Sequence, residues 1–223
     1  MSPINRNTLG LLVNTRLAGY AALAGAALAA PAVANAAIIY SGPVSINIPS
    51  TTAGIYLNVV TGVSATTPGG ATGWDINPWG SGSFFIYSAA SGGVVSGFAG
   101  GTSTTLVDNL PLSTLIDASS PNYGTSNSVE TTGSTAFLLN SSSNYAGFRF
   151  LNEVTGVTNY GWIEFSLSTA FNSQPRTVVA YAYDDSGAGI LAGAVPEPST
   201  FALLGVMAAG ALGVREWRKR KAA

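Results

Sequence analysis

The chain has 223 residues, contains no cysteine and no histidine, and only 9% of its residues are charged. Without cysteine there are no disulfides and no thiolate nucleophile, and without histidine the usual general base and the commonest transition-metal ligand are missing. Ser-His-Asp or Cys-His catalysis and Cys/His zinc sites are therefore excluded for this chain acting alone. We expect no enzymatic activity, no cofactor and no metal.

Positive charge is scarce between the two ends of the chain. Residues 37–194 contain no lysine, two arginines (Arg149 and Arg176) and eight acidic residues, so two positive and eight negative charges give −6. Because a surface of that sign repels phosphate backbones, no nucleic-acid partner is expected. The remaining basic residues lie beside two apolar terminal runs, a pattern typical of membrane-handling signals.

The first 36 residues have the pattern of a secretory signal peptide. Arg6 and Arg16 supply a positive start, and 17–30 is an uncharged, apolar run of 14 residues. Ala34 and Ala36 fit the A-x-A rule for signal peptidase, which places the cut after Ala36, although an overlapping triplet two residues earlier is a second possible site. The alternative interpretation is a buried alanine-rich helix.

The C-terminal end combines prolines, a short apolar run and a basic cluster. Pro196 and Pro198 lack an N–H, so they exclude a helix interior or a central strand at this point. Ser199 or Thr200 can then cap a helix over 201–214. That run has 14 residues, fewer than the roughly 20 that an ordinary membrane span needs. Five basic residues would hold its end in the cytoplasm: Arg215, Arg218, Lys219, Arg220 and Lys221.

The order of these features resembles a PEP-CTERM sorting tail. The motif residues are Val195, Pro196, Glu197, Pro198 and Ser199, followed by the short apolar helix and the basic cluster. The resemblance implies an exported protein of Gram-negative bacteria that make extracellular polysaccharide. It also implies processing near the Pro-Glu-Pro by the membrane enzyme exosortase, which carries its own catalytic residues. The alternative is a permanent C-terminal anchor.

Residues 37–194 are predicted to form one all-β passenger domain, a β-sandwich or jelly-roll-like fold between the signal helix and the transmembrane helix of the tail at 195–223. Short apolar or alternating runs separated by Gly, Ser, Thr and Asn favour this class. We predict a hairpin over 146–168, with 177–183 as its next neighbour. The predicted strands are 38–40, 44–48, 55–60, 83–87, 94–98, 135–139, 146–151, 160–168, 177–183 and 190–191.

The predicted strand 160–168 shows the clearest alternation. Its apolar face carries Ile163, Phe165 and Leu167, whereas Trp162 and Glu164 fall on the other face. Glu164 is therefore interpreted as a solvent-facing strand residue.

Three tryptophans are the candidate ligand contacts: Trp74, Trp79 and Trp162. An indole can stack on a sugar ring, and Asp75 lies between two of these residues in Gly-Trp-Asp-Ile-Asn-Pro-Trp. The simpler interpretation is that Trp74 and Trp79 pack in the protein and that Asp75 caps a turn.

Carboxylate pairs are the remaining catalytic possibility, as in glycoside hydrolysis, but the sequence places no pair at a useful separation. Asp184 and Asp185, which precede Ser-Gly, could offer oxygen ligands to Ca²⁺. They lack the spacing of an EF-hand loop, so a turn is the simpler interpretation.

The leading functional hypothesis is a non-enzymatic protein of the outer envelope, cell surface or extracellular matrix, associated with exopolysaccharide or biofilm. It would pass the inner membrane as an intermediate, with signal peptidase and exosortase as its partners during export. A carbohydrate-binding module is the alternative. A carboxylate-based polysaccharide hydrolase and an ice-binding protein are weaker candidates, since no acid pair stands out and the threonines show no regular spacing.

Overall fold

The structure, a computed structural model, describes residues 37–96 and 105–196. The predicted signal peptide and the predicted helix at 201–214 lie outside these residues. Within the described part the fold is nearly all β, and its one helical element is the 3₁₀ turn Pro68–Gly70. No helix in that part has the length and apolar character that crossing a membrane requires.

The described residues contain fourteen strands, many of them very short. They are β1 Ile38–Tyr40, β2 Ile46–Asn47, β3 Tyr56–Leu57, β4 Ser64–Ala65, β5 Ile76–Trp79, β6 Phe85–Ser88, β7 Gly93–Val95, β8 Leu115–Ile116, β9 Tyr123–Gly124, β10 Ser126–Ser128, β11 Ser141–Leu151, β12 Thr158–Leu167, β13 Thr177–Asp184 and β14 Ile190–Leu191.

The largest sheet has the order β1-β13-β12-β11-β7-β9, and β2 also pairs with β13; every pairing is antiparallel. The hairpin of β11 and β12 and the neighbouring position of β13 agree with the prediction. Phe148 lies directly opposite Gly161 in the hairpin. A side chain at position 161 would approach the Phe148 ring to 2.5 Å, so glycine gives that ring its space.

A second, five-stranded sheet has the order β10-β6-β5-β3-β4. Its central strand β5 was not predicted, because Pro78 in its interior argues against a central strand. The structure accommodates Pro78 because the Ile55 carbonyl beside it accepts the Asn77 side-chain amide at 2.5 Å. The Ile55 N–H in turn donates to the Pro78 carbonyl at 3.1 Å.

Two apolar clusters fill the fold, one on each face of the largest sheet. The main cluster combines side chains of both larger sheets: Leu57, Ile76 and Ile86 from the second sheet and Phe148, Phe150, Ile163, Phe165 and Val178 from the first. The smaller cluster lies where the two-stranded sheet of β8 and β14 covers Trp162 and Ala182 with Ile116 and Ile190. Both faces of β12 are therefore covered at its centre.

The predicted strand at 135–139 forms no strand in the structure. Its backbone and side chains instead bond to a neighbouring loop: the Phe137 N–H donates to the Glu130 carbonyl at 2.8 Å, and the Thr135 hydroxyl donates to Asp108 at 2.7 Å. Phe137 is nonetheless buried in the main cluster. The apolar run thus reflects burial of one side chain rather than a sheet pairing.

Arg176, just before β13, is fully buried and organises one end of the main cluster. Its guanidinium donates to the carbonyl oxygens of Phe171 at 2.7 Å, Pro49 at 2.9 Å and Gly80 at 3.0 Å. It also lies 5.1 Å from the centre of the Phe84 ring. Burial lowers the pKa of Arg176 to about 10, so the group stays charged near neutral pH.

Candidate functional site

The folded domain ends at a short hydrogen-bonded turn that follows β14. Ala192 exchanges backbone hydrogen bonds with the segment before β8: its N–H donates to Thr114 at 2.8 Å, and its carbonyl accepts from Ser113 at 2.9 Å. The Ala194 N–H then donates to the Leu191 carbonyl at 2.9 Å. The chain is thus held in place up to Ala194.

Trp162 anchors this turn from beneath. Its indole N–H donates to the Ala194 carbonyl at 2.9 Å, and its ring lies 6.0 Å from the Tyr40 ring and 5.7 Å from the Tyr145 ring. Only 2% of Trp162 is exposed. Burial leaves no face of this indole for a sugar, so Trp162 acts here as a core residue that fixes the end of the domain.

Immediately after this anchor the chain becomes accessible. Val195 and Pro196, the first two residues of the predicted sorting motif, are both exposed. Glu197, Pro198 and Ser199 lie outside the described residues, as do Ala34 and Ala36 of the predicted signal cleavage site. The basic residues of the predicted tail also lie outside them: Arg215, Arg218, Lys219, Arg220 and Lys221.

A second feature is a half-buried aromatic surface on the five-stranded sheet. Trp79 lies opposite Phe85 across β5 and β6; their rings are stacked at 4.7 Å with an angle of 19°, and Tyr87 meets Trp79 edge-on at 5.3 Å. Strand alternation places these rings opposite the buried Ile76 and Ile86. We call Trp79, Phe85 and Tyr87 the outer aromatic face.

Trp74 lies beside a different ring. It is half-buried and meets Tyr56 of β3 edge-on at 5.1 Å. The sequence named two of the half-buried rings, Trp74 and Trp79, as candidate ligand contacts. It did not single out Phe85 and Tyr87, whose alternation in the predicted strand 83–87 could have placed them on one face.

Asp75, which lies between these tryptophans in the sequence, is buried, with 3% of the residue exposed. Its Oδ2 accepts the Val59 N–H at 2.9 Å. Burial raises the pKa of the Asp75 carboxyl to about 7; the Val59 N–H opposes that rise, and the negative charge on Glu153 adds to it. A raised carboxyl pKa suits a general acid. However, a carboxyl this buried has no surface on which to meet a polysaccharide.

The residues around Asp75 tie loops together. Glu153 is exposed, and its Oε1 accepts from the Asn58 side-chain amide at 3.2 Å. The same amide donates to the carbonyls of Thr72 at 3.0 Å and Gly73 at 2.9 Å. Asn58 therefore ties the turn before β5 to Glu153, and Asp75 holds the turn after β3 through the Val59 N–H, which agrees with a structural role for Asp75.

The other acids that the sequence singled out also have local partners. Glu164 is half-buried and accepts the Tyr145 hydroxyl at 2.9 Å, so it is not simply solvent-facing. Asp184 accepts the Ser186 N–H at 2.9 Å, as expected of a turn, and Asp185 accepts the Ala37 N–H at 2.9 Å. No cluster of three or more potential metal ligands occurs within the part of the chain that the structure describes.

A cavity of about 190 Å³ lies beside the end of the domain. Leu110, Leu112, Ser143 and Tyr145 contribute to its lining, which contains no carboxylate. It therefore offers no acid pair for hydrolysis.

Comparison with known proteins finds one similarity. Residues 194–221 match the family model described as the PEP-CTERM protein-sorting motif. No curated protein and no solved structure matches the chain. The motif implies an exported protein that transits the membrane, with exosortase as its processing partner. The resemblance predicted from the sequence is confirmed, and the chain is a protein that carries a PEP-CTERM sorting domain.

Proposed function

We propose that this chain is a non-enzymatic protein of the cell surface or extracellular matrix, exported through a signal peptide at 1–36 and cut by exosortase near Pro196. One observation carries the proposal: the matched sorting motif begins at 194, where the anchored domain ends, and Val195 and Pro196 are exposed. A processing enzyme therefore meets accessible backbone directly beside a folded domain. The product would be an intact β domain without its tail.

The proposed mature protein is a single sandwich domain at 37–194. Its two larger sheets contribute to one shared apolar cluster, the arrangement that face-to-face sheet packing produces. The two-stranded sheet of β8 and β14 adds a partial third layer over Trp162.

Removal of the tail tests the sorting proposal. A chain ending at Ala194 is expressed in an exporting Gram-negative host that contains exosortase, and envelope, surface and matrix fractions are compared with those of the full chain. We expect the truncated protein to be lost from the surface and matrix fractions. A matched control, Val63→Ala, changes an exposed residue in the loop between β3 and β4 and should localise normally. Normal localisation of the truncated chain would refute sorting through the tail.

Mass spectrometry of the mature C-terminus tests the processing step separately. A terminus between Val195 and Pro198 supports cleavage, and replacement of Pro196, Glu197 and Pro198 by alanine should leave the C-terminus intact. Recovery of chains ending at Ala223 from the surface fraction would instead identify a permanently anchored protein.

Polysaccharide binding is the second candidate function, and the outer aromatic face favours it. Stacked and half-buried rings offer planar apolar surface of the kind that sugar rings pack against, on a sheet already held rigid by the core beneath. This supports a surface that binds polysaccharide.

A glycan array with the exported protein tests this candidate, followed by measurement of affinity for the host's own exopolysaccharide. Trp79→Ala should weaken binding by about tenfold or more, because it removes the largest ring of this face and burial of a large apolar side chain is worth about 1.5–3 kcal/mol. Trp162→Phe, in the buried cluster, serves as the control and should leave affinity unchanged. Equal affinity of the Trp79→Ala variant and the unaltered protein excludes stacking at this face.

A carboxylate-based hydrolase has weaker support. Asp75, an acid whose pKa is raised to about 7, is buried, and its carboxyl accepts the Val59 N–H. Incubation of the purified protein with host exopolysaccharide and measurement of new reducing ends tests this alternative directly; their release by the unaltered protein, and not by Asp75→Asn, would establish it.

A further inference from the structure

Four exposed apolar side chains surround the point where the chain leaves the folded domain. We call Leu112, Leu115, Leu191 and Val195 the exit patch; their exposed fractions run from 44% to 64%. Leu115 and Leu191 are direct partners across β8 and β14. Leu112 lies against the backbone of Gly193, since a side chain at 193 would approach its Cδ2 to 2.4 Å.

The exit patch faces away from the domain. Ile116 and Ile190, the other residues of β8 and β14, point into the buried cluster over Trp162. Because successive side chains of a strand point to opposite faces, Leu115 and Leu191 project outward. Core packing therefore does not explain why positions 115 and 191 are leucines. Their backbone pairing does not explain it either, because it would tolerate polar side chains.

The covalent path to the membrane segment is short. The apolar run of the sorting motif starts at Phe201, six residues after Val195. Six residues span at most about 20 Å even when fully extended. While the tail sits in the bilayer, the exit patch is thus confined to the neighbourhood of the membrane surface.

We propose that the exit patch rests on the bilayer surface while the tail is attached. Exposed leucines that enter the boundary between headgroups and acyl chains leave water, which is favourable, and the tether removes most of the cost of bringing them there. The contact would fix the domain's orientation and hold Pro196 close to the membrane face where exosortase acts. This inference rests on the proposed sorting through the tail.

Charge at the patch margin indicates which lipid surface suits it. Asp117 follows β8 directly, and hydrogen bonds from Ser119 lower the pKa of its carboxyl, so it remains ionised. The domain as a whole is acidic, with the −6 net charge of residues 37–194. Contact with the bilayer would therefore be apolar rather than electrostatic, which makes phosphatidylcholine, a lipid without net charge, the appropriate probe.

Site-directed labelling tests the contact, and the absence of cysteine from the chain makes each introduced cysteine unique. The full chain carrying Leu191→Cys or Leu115→Cys is labelled with an environment-sensitive fluorophore and reconstituted into phosphatidylcholine vesicles that contain a headgroup-nitroxide lipid. The matched control is Val63→Cys, at a valine of similar exposure (47%) in the loop between β3 and β4.

We expect quenching at positions 191 and 115 to exceed that at 63 by about threefold or more, because only the exit patch enters the headgroup region. If chains that float with the vesicles give equal, water-like signals at all three positions, the exit patch does not contact the bilayer. That result would leave the proposed sorting through the tail intact. Shielding at 191 without lipid quenching also overturns it, and indicates a second copy of the chain on the patch. A chain that does not float with vesicles at all contradicts both the contact and the proposed function.

Discussion

Arg176 shows how much one buried side chain contributes to this fold. Its guanidinium donates hydrogen bonds to the carbonyls of Phe171, Pro49 and Gly80, which lie on separate loops. Arg176→Met should destabilise the protein by about 3 kcal/mol or more, because each buried acceptor left without a donor costs about 1–3 kcal/mol. Arg176→Lys should rescue little of this loss, since an ammonium cannot reproduce the planar fork. Chemical denaturation measures both.

The matched control for Arg176 is Arg149. Its guanidinium is half-buried and lies 4.5 Å from the centre of the Tyr123 ring. A contact of this kind contributes about 1 kcal/mol or less at a partly exposed site, so Arg149→Met should be mild. Similar losses for the two variants would contradict the view that the carbonyl network of Arg176 is the source of its effect.

Asp75 predicts a specific dependence of stability on pH. Burial raises the pKa of its carboxyl from 3.8 to about 7 in the folded protein. The folded state therefore holds a proton that the unfolded state releases, and the free energy of unfolding should fall as pH rises from about 4 to about 7. A pKa rise of this size corresponds to a total loss of about 4 kcal/mol in the free energy of unfolding. Asp75→Asn should remove this decline, as measured by denaturation at several pH values.

Asp117→Asn is the control for this pH dependence. Hydrogen bonds from Ser119 lower the pKa of the Asp117 carboxyl, so its contribution is lost only in acid. The slope between pH 5 and 8 should therefore match that of the unaltered protein. A decline that persists in the Asp75→Asn variant would assign the titration to another group.

At the scale of elements, the β11–β12 hairpin depends on Gly161, which has no side chain. Gly161→Ala would place a Cβ 2.5 Å from Phe148 and 2.6 Å from the Ala182 carbonyl. Overpacking of this kind typically costs about 1–3 kcal/mol. Gly82→Ala is the control, because nothing lies within 4 Å of its added carbon. Thermal unfolding of the two variants should separate them clearly, and equal midpoints would show that the hairpin adjusts without cost.

Alternation predicted the long strands well and the short ones poorly. β12 carries a clear alternating run, so its pairing could be predicted from local sequence, whereas the register shift against β13 between Glu164 and Phe165 could not. Strands of two residues, such as β4 and β8, contain no period to detect, and β8 is defined by β14, a partner distant in the chain. β5 was concealed by Pro78, whose missing N–H is harmless because the Ile55 carbonyl accepts the Asn77 side-chain amide.

At the scale of the whole molecule, the sorting tail could be predicted and the roles of the tryptophans could not. The order of prolines, apolar run and basic cluster is readable along the chain. The burial of Trp162 depends on β8 and β14, which reach it from about 45 residues before and 30 residues after it in the sequence. The outer aromatic face likewise exists only once β5 pairs with β6.

A domain that loses its tail during sorting must be stable without it. A chain ended after Pro196 should therefore keep the thermal midpoint of the full chain. A chain ended after Leu191 also loses the Ala192 hydrogen bonds and the bond from the Trp162 indole to Ala194. Three such bonds at about 1 kcal/mol each correspond to a midpoint lower by roughly 5–10 °C for a domain of this size. Circular dichroism measures both midpoints. Should the cut after Pro196 lower the midpoint as much as the cut after Leu191, residues 197–223 would be part of the fold, and their removal by exosortase could not yield a stable mature protein.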